Sequence, residues 1–274
     1  MNESDGQEPR HAIVTGGSHG IGFQVARILA GQGFQLSLLA RRADDLVTAC
    51  EALSRESGAP TGFEACDVGD PAALSAALKR VTERRGPCHT LVTAAGMVIP
   101  GKFDALPQDA FRQQMEVNFF GTLHAVQAVY PAMAECGAGR IGMIASAAAL
   151  IGVYGYTAYA ASKFAVRGFA ESLRGEAASR GIAVSVAYPG DTDTAQLEAE
   201  RAHRPAATSA IAAGASVATP EAVARAVVRG MDRGTFAIYP NTATTALGWT
   251  ASMISPVLNA RFDRAARRAE AADD

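Results

Sequence analysis

At 274 residues, with 49% hydrophobic and 19% charged side chains, the chain is too apolar for disorder and of a size that α/β folds routinely build as one unit. Its formal net charge of -2 lacks the basic excess of nucleic-acid-binding surfaces, so no nucleic-acid partner is expected. Residues 1–10 are polar and acidic, without the apolar core of a secretory signal, and read as a flexible lead-in to a cytoplasmic protein. Cys50, Cys66, Cys88 and Cys136 are scattered without CxxC spacing. They read as buried reduced thiols, and no metal is expected.

Short β-branched runs at 12–15, 35–40, 62–66, 90–94, 140–145, 183–187 and 235–238 alternate with helical patterns, which marks βαβ units. After the first run, Ile21, Val25, Ile28 and Leu29 share one helical face, and Gly31 and Gly33 end that helix. A long helix over about 107–135 precedes the fifth run, and another over about 157–180 precedes the sixth. The pattern predicts an α/β fold, a Rossmann-type doubly wound parallel sheet of about seven strands, in one domain over 11–240. Within it, 190–219 is rich in Ala, Ser and Thr and reads as an irregular substrate loop at the carboxyl edge of the sheet, where such folds bind ligands. Two uncharged stretches, 141–162 and 234–260, are too diluted by polar residues, Gly and Pro to span a membrane. A C-terminal extension over 241–274 closes the chain with Arg261, Arg264, Arg267 and Arg268.

The first strand runs into Thr15-Gly16-Gly17-Ser18-His19-Gly20-Ile21-Gly22. Glycines at such a turn let the backbone approach a pyrophosphate, whose charge the following helix N-terminus stabilises. The spacing, TGxxxGxG after the first strand of a βαβ unit, predicts dinucleotide binding. The second strand ends Leu39-Ala40-Arg41-Arg42 with no carboxylate at its tip. Arg41, beside Arg42, either clamps a ribose 2′-phosphate through its planar fork of donors or is a solvated surface cation. Asp67-Val68 after the third strand is placed to meet an adenine, although such an Asp also serves as a turn residue. NADPH is the expected cofactor.

Tyr159 and Lys163, four apart, share a helical face. An ammonium near a phenol of ordinary pKa about 10 favours the phenolate. Ser146 lies thirteen residues earlier at the same sheet edge. Together with TGxxxGxG, Ala94-Ala95-Gly96, Asn118 and Pro189-Gly190, these residues resemble the short-chain dehydrogenase/reductase family over roughly 10–240. The resemblance implies that Tyr159 exchanges a proton with the substrate oxygen and that Lys163 lowers its pKa and holds the nicotinamide ribose. It implies further that Ser146 hydrogen-bonds the carbonyl and that Asn118 supports a water relay. Pro189, Gly190, Thr192 and Thr194 then flank the nicotinamide. Thr93-Ala94 stands where the family usually has Asn before Ala-Gly, an Asn that ties neighbouring strands together. Homodimers or homotetramers are the family's habit.

A narrower resemblance rests on Gly101-Lys102-Phe103, Tyr156-Thr157-Ala158-Tyr159 and Ala187-Tyr188-Pro189-Gly190-Asp191-Thr192-Asp193-Thr194. These are similar to 3-ketodihydrosphingosine reductases, which implies NADPH-dependent reduction of a lipophilic ketone. Asp191 and Asp193 either attract a substrate ammonium or cap a turn. Other bulky ketones (steroid, 3-ketoacyl or polyketide) are the rival substrates, and a non-catalytic NADPH-binding protein is the rival of another class. The stretch 247–258 is expected to cover a greasy channel with 190–219 through residues such as Trp249, Met253 and Ile254. Its alternatives are an oligomer interface and a peripheral membrane contact.

Overall fold

The computed structural model describes residues 10–213 and 216–273. The expected lead-in before Arg10 and positions 214–215 of the expected substrate loop lie outside them. Seven strands form one parallel sheet: β1 (His11–Thr15), β2 (Gln35–Ala40), β3 (Thr61–Ala65), β4 (Cys88–Thr93), β5 (Gly139–Ile144), β6 (Ile182–Ala187) and β7 (Ala237–Ile238). Their order is β3-β2-β1-β4-β5-β6-β7. The chain reverses direction across the sheet between β1 and β4, whose registers align Thr15 with Leu39 on one side and Thr93 on the other. That reversal opens a crevice at the carboxyl ends of both strands.

Helices cover both faces, so the strands read as continuous apolar runs. On one face α1 (Gly20–Gly31), α2 (Ala43–Ser57) and α9 (Pro220–Asp232) bury Val25, Leu46, Val223 and Val227 against Val14, Leu36 and Leu38. On the other, α3 (Pro71–Arg85), α5 (Gly121–Cys136) and α6 (Thr157–Ala178) pack Leu74, Val126 and Val166 onto Ile13, Leu91 and Ile141. Side-chain caps start several helices: Asp70 accepts from the Ala72 and Ala73 amides ahead of α3, with Pro71 at its first position. Burial pushes the thiols of Cys50 and Cys66 up to about 11 and that of Cys88 to about 12, whereas Cys136 is exposed rather than buried.

Several elements differ from expectation. β7 keeps two residues of the expected four, because the Thr235 amide turns back to the Gly230 carbonyl at 2.9 Å. The helix expected over 107–135 is divided into α4 (Gln108–Met115), a π turn (Glu116–Phe120) and α5. The loop 190–219 holds two short helices, α7 (Ala195–Arg201) and α8 (Ala206–Ala212). Thr194 caps the first, and the loop base is closed by backbone hydrogen bonds in which the Asp193 amide donates to the Ala218 carbonyl and the Ala218 amide to the Asp191 carbonyl. The C-terminal extension is built as one helix, α10 (Thr242–Asp273), which contacts α8. Among the described residues no helix is long and apolar enough to cross a membrane.

Candidate active site

A cavity of about 1390 Å³ follows the carboxyl ends of β1, β4, β5 and β6. Its floor begins at Gly16, whose φ of 67° is left-handed and whose absent Cβ would sit 2.6 Å from the Ala95 amide nitrogen. A Cβ at Gly22 would fall 2.2 Å from the Gly16 carbonyl oxygen. The turn therefore closes only with glycine at both positions. It delivers the amides of α1, whose first turn carries no acidic residue, to the cavity. Ser18, His19, Gly20 and Ile21 line this end. A pyrophosphate fits a helix N-terminus presented in this way.

Farther along the same wall stand Arg41, Arg42, Asp67 and Val68. Arg42 is engaged by Asp45, whereas the exposed Arg41 has no polar partner among the described residues. Asp67 accepts from the Gly69 amide at 2.9 Å, as a turn residue does, and still borders the cavity. Ala94, Ala95, Gly96, Pro189, Gly190, Thr192 and Thr194 complete the lining. Thr194 also caps α7 by accepting from the Leu197 amide. The buried Thr93 hydroxyl, one residue before Ala94, finds no partner among the described residues.

α6 presents Tyr159 and Lys163 to the cavity one turn apart. The Lys163 Nζ donates to the Ile144 carbonyl at 3.0 Å and stands 5.8 Å from the centre of the Tyr159 ring. Burial pushes Lys163 down to about 8. Burial also pushes Tyr159 up to about 12, against a hydrogen bond with Ser146 that lowers it. Burial is the larger of the two influences on the phenol. Ser146 accepts from the Ala148 amide at 3.1 Å, which leaves its hydroxyl hydrogen free to be donated.

Asn118 sits in the π turn, a device that often marks functional sites. Its Nδ2 donates to the Met97 carbonyl and to Ser162 Oγ, and its Oδ1 accepts from the Met97 amide. Ser162 Oγ donates in turn to the Tyr159 carbonyl at 2.7 Å. Asn118 therefore ties the segment after β4, at Met97, to the helix that carries Tyr159.

One expected residue stands elsewhere. Asp193 is exposed and borders no part of the cavity, because the loop base turns it outward. Asp191 does border the cavity, but its two oxygens accept from Arg204 at 3.1 and 3.2 Å. Tyr156, Glu200 and Arg204 also line the wall; the sequence offered Tyr156 only as part of the Tyr156–Tyr159 run, and Glu200 and Arg204 not at all. The signal available was the i,i+4 spacing of Glu200 and Arg204. Of the stretch 247–258, Ile254 is not part of the wall, and only Leu247 is. Trp249 and Met253 are 80% and 82% exposed.

The short chain dehydrogenase family model matches residues 10–205. The 3-ketodihydrosphingosine reductase of Bos taurus is 37% identical over 230 residues, spanning 82% of this chain and 69% of that protein. The 3-dehydrosphinganine reductase of Danio rerio is 38% identical over the same spans. Among solved structures, a variant actinorhodin polyketide ketoreductase with NADPH superposes with a TM-score of 0.78 at 30% identity, over 84% of this chain and 95% of that one.

Proposed function

Since the chain belongs to the short-chain dehydrogenase family, we propose that it reduces 3-ketodihydrosphingosine to dihydrosphingosine with NADPH. The observation that carries this reading is the convergence of Ser146, Tyr159 and Lys163 on one cavity beside a glycine-built phosphate cradle. The curated relatives bear that substrate in their names.

The turn from Gly16 to Gly22 would hold the pyrophosphate, and Arg41, aided by Arg42, the 2′-phosphate. Asp67 and Val68 would flank the adenine, and Ala94–Gly96, Lys163, Pro189, Gly190, Thr192 and Thr194 the nicotinamide half. When bound, the dinucleotide supplies the hydride. Ser146 donates its hydroxyl hydrogen to the ketone oxygen and fixes it next to Tyr159. Tyr159, held protonated at neutral pH by its raised pKa, gives its proton to that oxygen as the alkoxide develops. The Lys163 ammonium stabilises the phenolate left behind, and Asn118 keeps the strand end and α6 in place around them.

Loss of NADPH absorbance tests the reading with 3-ketodihydrosphingosine, with steroid, 3-ketoacyl and polyketide ketones, and with no ketone. The sphingoid ketone is expected to give the highest kcat/KM. A higher value for another ketone would reassign the substrate, and binding of NADPH without turnover on any ketone would overturn the enzyme reading.

Peripheral membrane contact belongs to the same proposal. On α10, Trp249, Met253 and Val257 are 80%, 82% and 72% exposed and fall on successive turns. Arg261 continues the row, with Arg264 and Arg268 alongside at helical spacing. An apolar row running into arginines suits the surface of an anionic bilayer, and Leu247 on the same helix borders the cavity that would take the lipid. Cosedimentation with phosphatidylglycerol vesicles, reduced by the Trp249→Ala/Met253→Ala variant, is the expected result. A variant that binds vesicles unchanged but falls from dimer to monomer would make the face an oligomer interface.

A further inference from the structure

Four side chains in the cavity wall form a network that proton transfer does not use. Tyr156 donates its hydroxyl to Glu200 Oε1, and Arg204 Nε donates to the same oxygen at 2.6 Å. The two terminal nitrogens of Arg204 grip both oxygens of Asp191. Arg204 is 5% exposed, Glu200 10% and Asp191 24%. Burial, and then the bond to Glu200, push the Tyr156 phenol well above its usual range, so it stays neutral. Two carboxylates on one guanidinium leave the network one negative charge in excess.

That charge lies where the reaction occurs. The Tyr156 ring meets the Tyr159 ring edge to face with centroids 5.7 Å apart. Glu200 and Asp191 both act electrostatically on the Tyr159 hydroxyl. Glu200 borders the cavity with its second carboxylate oxygen unpartnered among the described residues. An uncompensated buried anion is costly, and a cation that completes it is held strongly. The cation must be small and close to the ketone, because the network adjoins the group that protonates the ketone.

We infer that Glu200 is a specificity-determining residue, and that its network receives a primary ammonium carried on the carbon next to the reacting ketone. The inference rests on the reductase reading and adds how an α-amino ketone is told from a plain one. Ser146 and Tyr159 hold the oxygen, and Glu200 holds the nitrogen one carbon away. The substrate's charge thereby balances the second carboxylate of this network.

The experiment compares NADPH-dependent reduction of 3-ketodihydrosphingosine with that of the same ketone bearing hydrogen in place of the amino group. Wild type, Glu200→Gln and Glu200→Asp are measured. Wild type should favour the amino ketone, and Glu200→Gln should cut that kcat/KM ratio by at least about tenfold, the scale of one charge-assisted hydrogen bond. Glu200→Asp should restore part of the ratio, because the charge is kept. Equal losses on both ketones, leaving the ratio unchanged, would show a merely structural role and overturn the inference while the reductase reading stands. Absence of turnover by wild type on either ketone would instead overturn the reductase reading, and this one with it.

Discussion

Lys163 reaches the Ile144 carbonyl at 3.0 Å from a position one helical turn beyond Tyr159. Its ammonium is thus anchored to the end of β5, while burial holds the Tyr159 phenol above its usual range. The phenol is a proton donor at rest. Tyr159→Phe should keep NADPH affinity and lose turnover by roughly 10²–10⁴-fold, the usual contribution of general acid–base catalysis. Steady-state kinetics together with a fluorescence titration of NADPH checks both halves, and a kcat within threefold of wild type would remove Tyr159 from the chemistry.

Arg41 and Arg42 differ in what they have free. Arg42 is occupied by Asp45, so Arg41→Asp should be the more consequential change at the 2′-phosphate. A charge-assisted bond is worth about 1.5–3 kcal/mol, so the preference for NADPH over NADH should fall at least about tenfold. Relative kcat/KM for the two cofactors measures it, and an unaltered ratio would place phosphate recognition on Arg42 or His19.

Thr93 is 2% exposed and its hydroxyl is unpaired among the described residues. Thr93→Val removes the stranded group at nearly constant volume and should stabilise the fold by about 1 kcal/mol, a gain of about 2–4 °C in Tm. A lower Tm by calorimetry would mean that the hydroxyl is satisfied after all.

His11 sits fully buried at the start of β1, between Ser37 and the Gly86 carbonyl. Burial pushes it down to about 4, outweighing the Gly86 bond that raises it. A lowered pKa on a base means that the unfolded chain binds the proton first as pH falls. Stability is complete above pH 6.5 and is lost on acidification towards pH 4, with about 2 kcal/mol of it gone by pH 5. Urea unfolding of wild type and His11→Gln at pH 7 and pH 5 should show a smaller loss in the variant. Parallel losses would assign the acid sensitivity to other groups.

Much of the site was legible in sequence because its parts are backbone geometry and short spacing. The Gly16–Gly22 turn and the Tyr159–Lys163 pair are local facts, and the seven strand runs needed only hydrophobic period. The network of Tyr156, Asp191, Glu200 and Arg204 was not, since it joins segments up to 44 positions apart through a loop whose two short helices carry weak patterns. The π turn escaped because one extra residue in a turn barely disturbs a 3.6 period. Trp249 and Met253 were legible only in part for a related reason. An apolar row tells that a helix has a sticky face and not which way that face points.

The burial of Cys50, Cys66 and Cys88 makes the molecule unusually simple to label. A thiol needs its thiolate to react, and at pH 7 groups near 11 or 12 are ionised in about one molecule in 10⁴ or fewer. Cys136, exposed at the end of α5, is left as the one accessible handle. A maleimide dye should attach there alone, providing a probe on an unmutated protein whose other sulfurs stay silent until it unfolds.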